Sequence, residues 1–198
     1  MKLYDVELSG NCYKVRLFAA LTGMALERVP VNMQAGEHKQ PSFMDMNAFG
    51  QVPVLEDEAC RIRDSQAILV YLANRHGDPA WWPQDAAGQA EIVAWLAVAA
   101  HEVRAGPGAA RLIEKFGKPL DKPAALGQAG ALLETLERHF AQHDWAALGR
   151  PTIADCALFP YVALAHEGGI DLGPYAKVRA WLDRVRDLPG FIAMPGIA

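Results

Sequence analysis

All strand-like patterns of this 198-residue chain end before residue 64. Residues 2–8 alternate between apolar and polar side chains, residues 25–31 form a second such run, and two short runs flank an acidic turn at 56–58. Helical spacing occurs at 11–21, in a short stretch at 42–46 and from residue 64 onward. The predicted element order is therefore β-α-β-α-β-β-α, followed by helices alone.

A stretch rich in Gly, Pro and Asp, "GDPAWWPQDAAG", separates the two parts. The helix that opens at Asp64 and Ser65 is expected to close on Gly77, because glycine commonly ends helices. Beyond the stretch, helical spacing covers 89–116, 124–142, 153–167 and 175–186, and "AGPG" at 105–108 predicts a kink or split. We therefore predict a domain at 1–77, a linker at 78–86 and an all-helical domain at 87–198.

The composition predicts a folded protein with a buried core, since 52% of residues are hydrophobic and 21% are charged. A net charge of −4 argues against nucleic-acid binding, which requires a basic face. Three widely spaced cysteines argue against a disulfide framework. No apolar window approaches the roughly 20 residues of a membrane span, and the first residues resemble a strand more than a signal peptide. We expect a cytoplasmic protein without membrane contact.

Metal and nucleotide sites are not expected. His139 and His143 lie four residues apart on a predicted helix, but zinc takes at least three protein ligands and no third is evident. The chain also has no G-x-G-x-x-G after a strand and no Walker loop. The sequence thus predicts no metal and no tightly bound cofactor.

Four motifs, spread from residue 9 to residue 160, resemble motifs of the cytosolic glutathione transferase family. "SGNCYKVR" at 9–16 is similar to the Ser-Ser-Cys-x-x-Arg-Val-Arg motif of the zeta class and to the start of theta-like bacterial classes with an N-terminal serine. "FGQVPVL" at 49–55 resembles the loop before the family's cis-proline, and "DSQAILVYL" at 64–72 resembles its Glu-Ser-x-Ala-Ile helix start. "RPTIADCALFP" at 150–160 resembles its Ser/Thr-x-x-Asp helix cap. The motifs keep the family's order and cover nearly the whole chain.

The resemblance implies an α/β thioredoxin-like N-terminal domain followed by an all-α helical-bundle domain. It implies an enzyme that takes glutathione as co-substrate, activates its thiol as a thiolate and conjugates it to small apolar electrophiles. Glutathione-dependent reduction of disulfides or peroxides is an alternative, as is a binding or assembly role with little catalysis. Because family members form twofold homodimers, the expected partners are glutathione, a small electrophile and a second copy of the chain.

Three residues near the start of the first motif are candidates for activating the thiol. A free thiol has a pKa of about 8.5, so a donor at a helix N-terminus is needed to stabilise the thiolate at neutral pH. Ser9 is the first candidate and the amide of Asn11 the second. Cys12 offers a mixed disulfide instead, one position past the cysteine of the cysteine-containing classes. Strand alternation puts Tyr4 on the face opposite Ser9, which argues against the tyrosine-dependent classes.

Two further motifs correspond to the family's glutathione site. Val52 and Pro53 are expected to form a cis peptide bond, so that the Val52 backbone pairs with the cysteinyl part of glutathione like an added strand. Asp64 and Ser65 open a helix whose N-terminus is expected to hold the γ-glutamyl carboxylate, although a simple N-cap has the same sequence. Asp64 replaces the usual glutamate, which shortens its reach to the γ-glutamyl ammonium.

The polar loop "GEHKQ" contains His38 and Lys39, which the resemblance implies are partners of the glycyl carboxylate. The alternative is a pair of solvated loop cations without a ligand. Gln51 takes the position at which many family members place a Lys or Gln that contacts glutathione. These three residues complete the expected glutathione site.

Phe49 stands where several classes insert an aromatic side chain into a pocket of the partner subunit. The alternative is an ordinary core phenylalanine of its own subunit. The pocket for the electrophile is expected in the helical domain, whose sequence varies most within the family. Tyr13, His101 and Arg104 are the candidates for lining it.

Overall fold

The computed structural model of the protein describes residues 1–58, 60–75, 78 and 80–197. Its N-terminal part has the predicted order βαβαββα, which is therefore confirmed. The strands are β1 (Lys2–Asp5), β2 (Glu27–Pro30), β3 (Val54–Asp57) and β4 (Cys60–Arg63). The helices are α1 (Gly10–Leu21), α2 (Pro41–Met44) and α3 (Ser65–Arg75), with a short 3-10 turn at Glu37–Lys39.

The four strands form one mixed sheet in the order β2-β1-β3-β4. β1 runs parallel to β2 and antiparallel to β3, and β3 and β4 form the predicted hairpin. Leu3 pairs with Leu55, and both side chains are buried in the core that contains the apolar residues of α1 and α3. Tyr4 lies in a second cluster with Phe43 and Val54. This is the expected thioredoxin-like arrangement.

β1 ends at Asp5, three residues earlier than its alternating pattern predicts. The buried Asp5 carboxylate accepts hydrogen bonds from Arg16 and Arg28, each at 2.6 Å. The chain turns immediately afterwards, and the N–H of Ser9 donates to the carbonyl of Val6 at 2.9 Å. The alternating pattern of apolar and polar residues does not indicate this ion pair or the turn. The predicted strand is therefore three residues too long.

The described residues of the C-terminal part form five α-helices. A π-helical turn at Arg104–Gly108 separates the first two, which confirms the predicted interruption. The helix expected at 153–167 ends at Ala163, and a tighter 3-10 turn at Ala165–Gly168 follows. The helices are α4 (Ala86–Ala100), α5 (Ala109–Phe116), α6 (Lys122–Phe140), α7 (Ile153–Ala163) and α8 (Ala176–Arg186).

Helix α7 is almost entirely buried and packs against α1 of the N-terminal part. The Thr152 hydroxyl accepts a hydrogen bond from the N–H of Ala154, and the Asp155 carboxylate accepts one from the N–H of Thr152. Asp155 also accepts from the N–H of Ala146 at 3.0 Å and the indole of Trp181 at 2.9 Å. The sequence Thr152-Ile-Ala-Asp155 predicts this capping box and its structural role, and the box is confirmed.

The bounds of the helices and strands do not test the predicted domain boundaries. The expected helix end at Gly77 lies outside the described residues, and the boundaries at residues 77 and 86 stay predictions. Across the part of the chain that the structure describes, none of the helices is both long and apolar enough to cross a membrane.

Candidate functional site

The turn between β1 and α1 is fixed by contacts from both parts of the molecule. Arg16 donates to the carbonyl of Glu7 at 2.8 Å, and Arg111 of α5 donates to the carbonyl of Leu8 at 2.9 Å. Both arginine side chains are buried. Hydrogen bonds to buried charged groups are among the stronger ones. The backbone leading to Ser9 is therefore held in one conformation.

Ser9 is the N-cap residue of α1, with extended backbone angles of φ −79° and ψ 117°. Its Oγ accepts a hydrogen bond from the N–H of Cys12 at 3.2 Å. Among the described residues, the only acceptor near the hydroxyl proton is the Cys12 thiol, which is a weak acceptor in its neutral form. Since Ser9 is partly exposed, the proton is available to a ligand at the positive end of the helix.

Cys12 lies in the core beneath this turn. Its side chain has no exposed surface, and its Sγ accepts a hydrogen bond from the N–H of Val6 at 3.5 Å. Burial raises the pKa of the Cys12 thiol to about 12, and the hydrogen bond with Ser9 acts in the opposite direction. Because the thiolate is the reactive form of cysteine, this thiol is poorly suited to form a mixed disulfide.

A cleft opens between the start of α1, the loop before β3 and the start of α3. The structure brings seven of the residues singled out above together at this cleft. Two residues that the sequence reasoning missed, Asn47 and Arg63, lie there as well. The predicted residues that line it are Asn11, Phe49, Gln51, Val52, Pro53, Asp64 and Ser65.

The loop before β3 is shaped by the buried side chain of Asn47. Its amide donates to the carbonyl of Gln51 at 2.7 Å, and its carbonyl oxygen accepts from the N–H of Phe49 at 3.1 Å. The Val52–Pro53 peptide bond is cis, as predicted. No other described residue forms a backbone hydrogen bond with Val52. Its N–H and C=O groups are therefore free to pair with an extended ligand.

Gly50 is required in this loop by both backbone angle and space. Its φ is +55°, and a Cβ there would lie 2.7 Å from the carbonyl oxygen of His38 and 2.7 Å from Nζ of Lys39. The Lys39 ammonium donates to the carbonyls of Phe49 and Gly50, each at 3.3 Å. Lys39 thus braces the loop, and neither His38 nor Lys39 lines the cleft. The Nδ1 atom of His38 is buried and has no hydrogen-bond partner among the described residues.

The start of α3 combines a cap with a free N–H group. Asp64 has a φ of +76°, and its Oδ1 accepts hydrogen bonds from the N–H groups of Gln66 and Ala67. This is the capping role that the sequence allowed. The buried Ser65 donates its hydroxyl proton to the side chain of Gln66 at 2.5 Å. The backbone N–H of Ser65 stays unpaired among the described residues and faces the helix end, where a carboxylate binds favourably.

Phe49 is 60% exposed, so the structure excludes a core position in its own subunit. The guanidinium of Arg63 lies 4.6 Å from the centre of its ring. This contact places a cation at the edge of the cleft. No sequence pattern indicates this contact, because Arg63 is one of two exposed arginines that alternate along the short strand β4.

The three candidates for the electrophile pocket lie in different surroundings. Tyr13 is fully buried in the core, and its hydroxyl donates to the carbonyl of Ile192 at 2.6 Å, so it lines no pocket. His101 is exposed at the end of α4 next to Glu102. Arg104 is also exposed, but its charge reaches the hydroxyl of Tyr161 and acts to lower its pKa.

Tyr161 of α7 is a further residue that sequence reasoning missed. A Cβ on Gly10 would lie 2.8 Å from Cζ of Tyr161, so the tip of its ring covers the first residue of α1. The buried ammonium of Lys14 lies 5.6 Å from the centre of the same ring. Tyr161 is 152 positions from Ser9 in the sequence. Helical spacing alone does not indicate that both residues lie at the N-terminus of α1.

Side chains of metal-ligating types do not form clusters in the part of the chain that the structure describes. There, no three side chains of the His, Cys, Asp and Glu types lie close enough together to hold an ion. His139 and His143 stack on each other with ring centres 4.6 Å apart, and His139 bonds to the carbonyl of Trp145. The two rings therefore pack against neighbouring groups at the C-terminal end of α6.

Both parts of the chain match family models. Residues 1–74 match the glutathione S-transferase N-terminal domain, and residues 79–184 match the glutathione S-transferase C-terminal domain. The chain belongs to the glutathione S-transferase family.

Relatives extend over nearly the whole of this transferase. Glutathione S-transferase D7 of Anopheles gambiae is 31% identical, over 93% of this chain and 85% of its own. The solved structure of a possible glutathione S-transferase from Rhodopseudomonas palustris is 36% identical with a TM-score of 0.88, over 98% and 89% of the two chains. A glutathione transferase homologue from Drosophila mojavensis, solved with bound glutathione, is 26% identical with a TM-score of 0.85, over 95% and 88%. The predicted fold and the predicted class of enzyme are confirmed.

Proposed function

We propose that this transferase binds glutathione in the cleft described above and conjugates its sulfur to small apolar electrophiles. The observation that carries the proposal is the position of Ser9 at the N-terminus of α1, where its hydroxyl proton has only the weak thiol acceptor of Cys12 among the described residues. The cleft begins two residues further along the chain, at Asn11. We therefore place the glutathione sulfur at this helix end, where its thiol loses the proton and becomes the thiolate.

The proposed binding mode uses mainly groups that lack a hydrogen-bond partner in the part of the chain that the structure describes. Val52 pairs through its backbone with the cysteinyl unit, as an added strand would. The free N–H of Ser65 and the positive end of α3 hold the γ-glutamyl carboxylate. Asp64 uses one carboxylate oxygen as a cap and turns the other toward the γ-glutamyl ammonium. His38 is proposed as a partner of the glycyl carboxylate. Its unpaired Nδ1 atom is buried outside the cleft, so this contact requires the side chain to turn toward the ligand.

The proposed chemistry requires a thiolate at neutral pH. Lowering the thiol pKa by about two units corresponds to roughly 2.7 kcal/mol of differential stabilisation. One charge-assisted hydrogen bond contributes about 1.5–3 kcal/mol, and a helix N-terminus adds about 0.3–1 kcal/mol. Ser9 and α1 together supply the required amount. The thiol proton leaves to solvent, and the sulfur electron pair forms the bond to the electrophilic carbon as the leaving group departs with its own pair.

Assays with three substrate types test this function. With glutathione and a chloronitrobenzene, the protein should form the thioether at a rate that saturates with glutathione. Activity confined to hydroperoxides or disulfides would instead support glutathione-dependent reduction. Calorimetric binding of glutathione without turnover of any substrate would support the binding role. The buried, weakly acidic thiol of Cys12 argues against a reduction route through a mixed disulfide on that residue.

We also propose that the chain forms a homodimer through Phe49. The exposed Phe49 ring is available to an apolar partner, and aromatic side chains are enriched among the residues that dominate binding at interfaces. A groove of about 530 Å³ between α4 and α6, lined in part by Trp95, Val98 and Leu132, offers a pocket of the right character. In a twofold pair, the Phe49 of each copy enters the groove of the other.

A further inference from the structure

Tyr161 reaches from the helical domain onto the first turn of α1. If Gly10 carried a Cβ, it would lie 2.8 Å from Cζ of Tyr161 and 3.1 Å from both Cε atoms, so the hydroxyl-bearing end of the ring faces the helix backbone. The backbone N–H of Asn11 faces this hydroxyl. Tyr161 is also partly exposed. The hydroxyl therefore borders the helix end that Ser9 caps.

The Tyr161 hydroxyl is a donor at neutral pH. Burial raises the pKa of Tyr161 to about 12, against the opposing effect of the Arg111 charge. Nothing in the described part of the chain accepts a hydrogen bond from it. The Ser9 hydroxyl has only the neutral Cys12 thiol as an acceptor among the described residues, so one weakly engaged donor from each domain lies at the N-terminus of α1.

The charges around this helix end favour an anion. Arg111 and Arg104 both act to lower the pKa of Tyr161, and the ammonium of Lys14 lies 5.6 Å from its ring. The Nη2 atom of Arg111 is buried and has no partner among the described residues. Two carboxylates oppose them: Glu167 pairs with Arg111 at 2.5 Å, and Asp64 stabilises the charge on Lys14. Three cations against two carboxylates leave a positive balance.

We propose that Tyr161 is a second catalytic hydroxyl, which donates a hydrogen bond to the glutathione sulfur from the side of the helical domain while Ser9 donates from the other domain. This inference rests on the proposed function, because it requires the sulfur to lie at the N-terminus of α1. Tyr161 keeps its own proton throughout, and the thiol proton leaves to solvent. Glycine at position 10 permits the arrangement, since any side chain there would displace the ring.

The experiment measures the pKa of the thiol of glutathione bound to the enzyme, by titrating the ultraviolet absorbance of the thiolate. Tyr161→Phe deletes only the hydroxyl. It should raise this pKa by about one unit, which corresponds to the loss of one hydrogen bond to the thiolate, and lower the conjugation rate at neutral pH about threefold as the thiolate fraction falls. The dissociation constant of glutathione and the thermal unfolding midpoint should be unchanged.

Tyr4→Phe is the matched control, because the Tyr4 ring packs against Phe43 in the other cluster of the sheet. It should leave the pKa of the bound thiol at the wild-type value. Gly10→Ala approaches the same question through the backbone. As a single substitution, it should raise the pKa of the bound thiol, because the added Cβ displaces the Tyr161 ring. Combined with Tyr161→Phe, it should raise this pKa no further.

Two outcomes separate this inference from the proposed function. A wild-type pKa for the bound thiol in Tyr161→Phe, with normal glutathione binding, overturns the role of Tyr161 and leaves the transferase function intact. A wild-type protein that binds no glutathione overturns both. If Tyr161→Phe does not fold, the shift in Gly10→Ala decides the point.

Discussion

Ser9, Asn11 and Cys12 lie within four positions of one another, but their surroundings give them different chemistry. Ser9 is partly exposed, and its hydroxyl proton has only the weak Cys12 thiol as an acceptor among the described residues. Asn11 lines the cleft. Cys12 is fully buried, and its pKa is raised to about 12. The first two therefore remain candidates for stabilising a thiolate, and the third is better explained as a core residue.

Ser9→Ala should lower the conjugation rate by one to two orders of magnitude while leaving glutathione binding almost unchanged. The variant loses one charge-assisted hydrogen bond of about 1.5–3 kcal/mol to the thiolate, whereas the binding contacts lie elsewhere in the cleft. A pH–rate profile checks this, since the apparent pKa should rise. Cys12→Ala is the matched control and should retain most activity. An unchanged profile for Ser9→Ala would assign activation to another group.

Ser65→Ala should raise the Michaelis constant for glutathione and leave the limiting rate nearly unchanged. The γ-glutamyl carboxylate is remote from the sulfur, so its contacts are similar in the ground state and the transition state. Initial rates over a range of glutathione concentrations separate the two constants. If the limiting rate collapses at saturating glutathione, the cleft holds the ligand in another orientation.

At the scale of elements, α1 carries a lysine on its buried face. The Lys14 side chain is 1% exposed, and burial lowers its pKa to about 8, with the charge of Asp64 acting in the opposite direction. The ammonium lies within cation–π distance of Tyr161. A charged lysine buried close to the candidate site lowers the stability of the fold. Charged groups with shifted pKa values are common at functional positions.

Lys14→Met should stabilise the protein at neutral pH, and the gain should shrink as the pH rises. The folded-state pKa of Lys14 lies below its ordinary value of 10.5, so between about pH 8 and pH 10.5 the unfolded chain binds more protons. Wild-type stability therefore rises across this window relative to the variant, by roughly 3 kcal/mol in all. Urea unfolding of both proteins at several pH values measures the difference. A difference that does not change with pH would contradict a charged, buried Lys14.

At the scale of the whole molecule, the helical domain contacts the N-terminus of α1, next to the candidate site. Arg111 holds the carbonyl before Ser9, and Tyr161 covers the first turn of α1. The proposed dimer contact lies close to the candidate site, because the exposed Phe49 is in the same loop as Val52. The homodimer and the cytoplasmic location both stay predictions.

Phe49→Ala should weaken dimerisation and also loosen glutathione binding. An aromatic anchor in an apolar pocket contributes about 2 kcal/mol or more, and a twofold pair contains the contact twice. Sedimentation across a dilution series measures the dimer constant. Leu120→Ala is a suitable control, since Leu120 is a 49% exposed apolar side chain in the segment between α5 and α6. A Phe49→Ala dimer as tight as wild type would assign the interface to another surface.

The order of strands and helices was predictable because it depends on local patterns. Apolar spacing, the Thr152–Asp155 capping box and the break at 105–108 each act over a few residues, and the structure contains all three. Motif resemblance added the cis bond before Pro53, which composition and spacing do not indicate. Sequence reasoning also singled out seven residues of the cleft, since they come from three short segments with recognisable motifs.

What the sequence alone did not determine depends on contacts between distant segments. The early end of β1 follows from the Asp5 ion pairs with Arg16 and Arg28, and the burial of Tyr13 follows from its bond to Ile192. Tyr161 reaches the helix end of Ser9 only because α7 packs across α1. The chain by itself determined the elements and the chemistry available in each, whereas the tertiary structure decided which groups meet, because packing brings together residues far apart in the sequence.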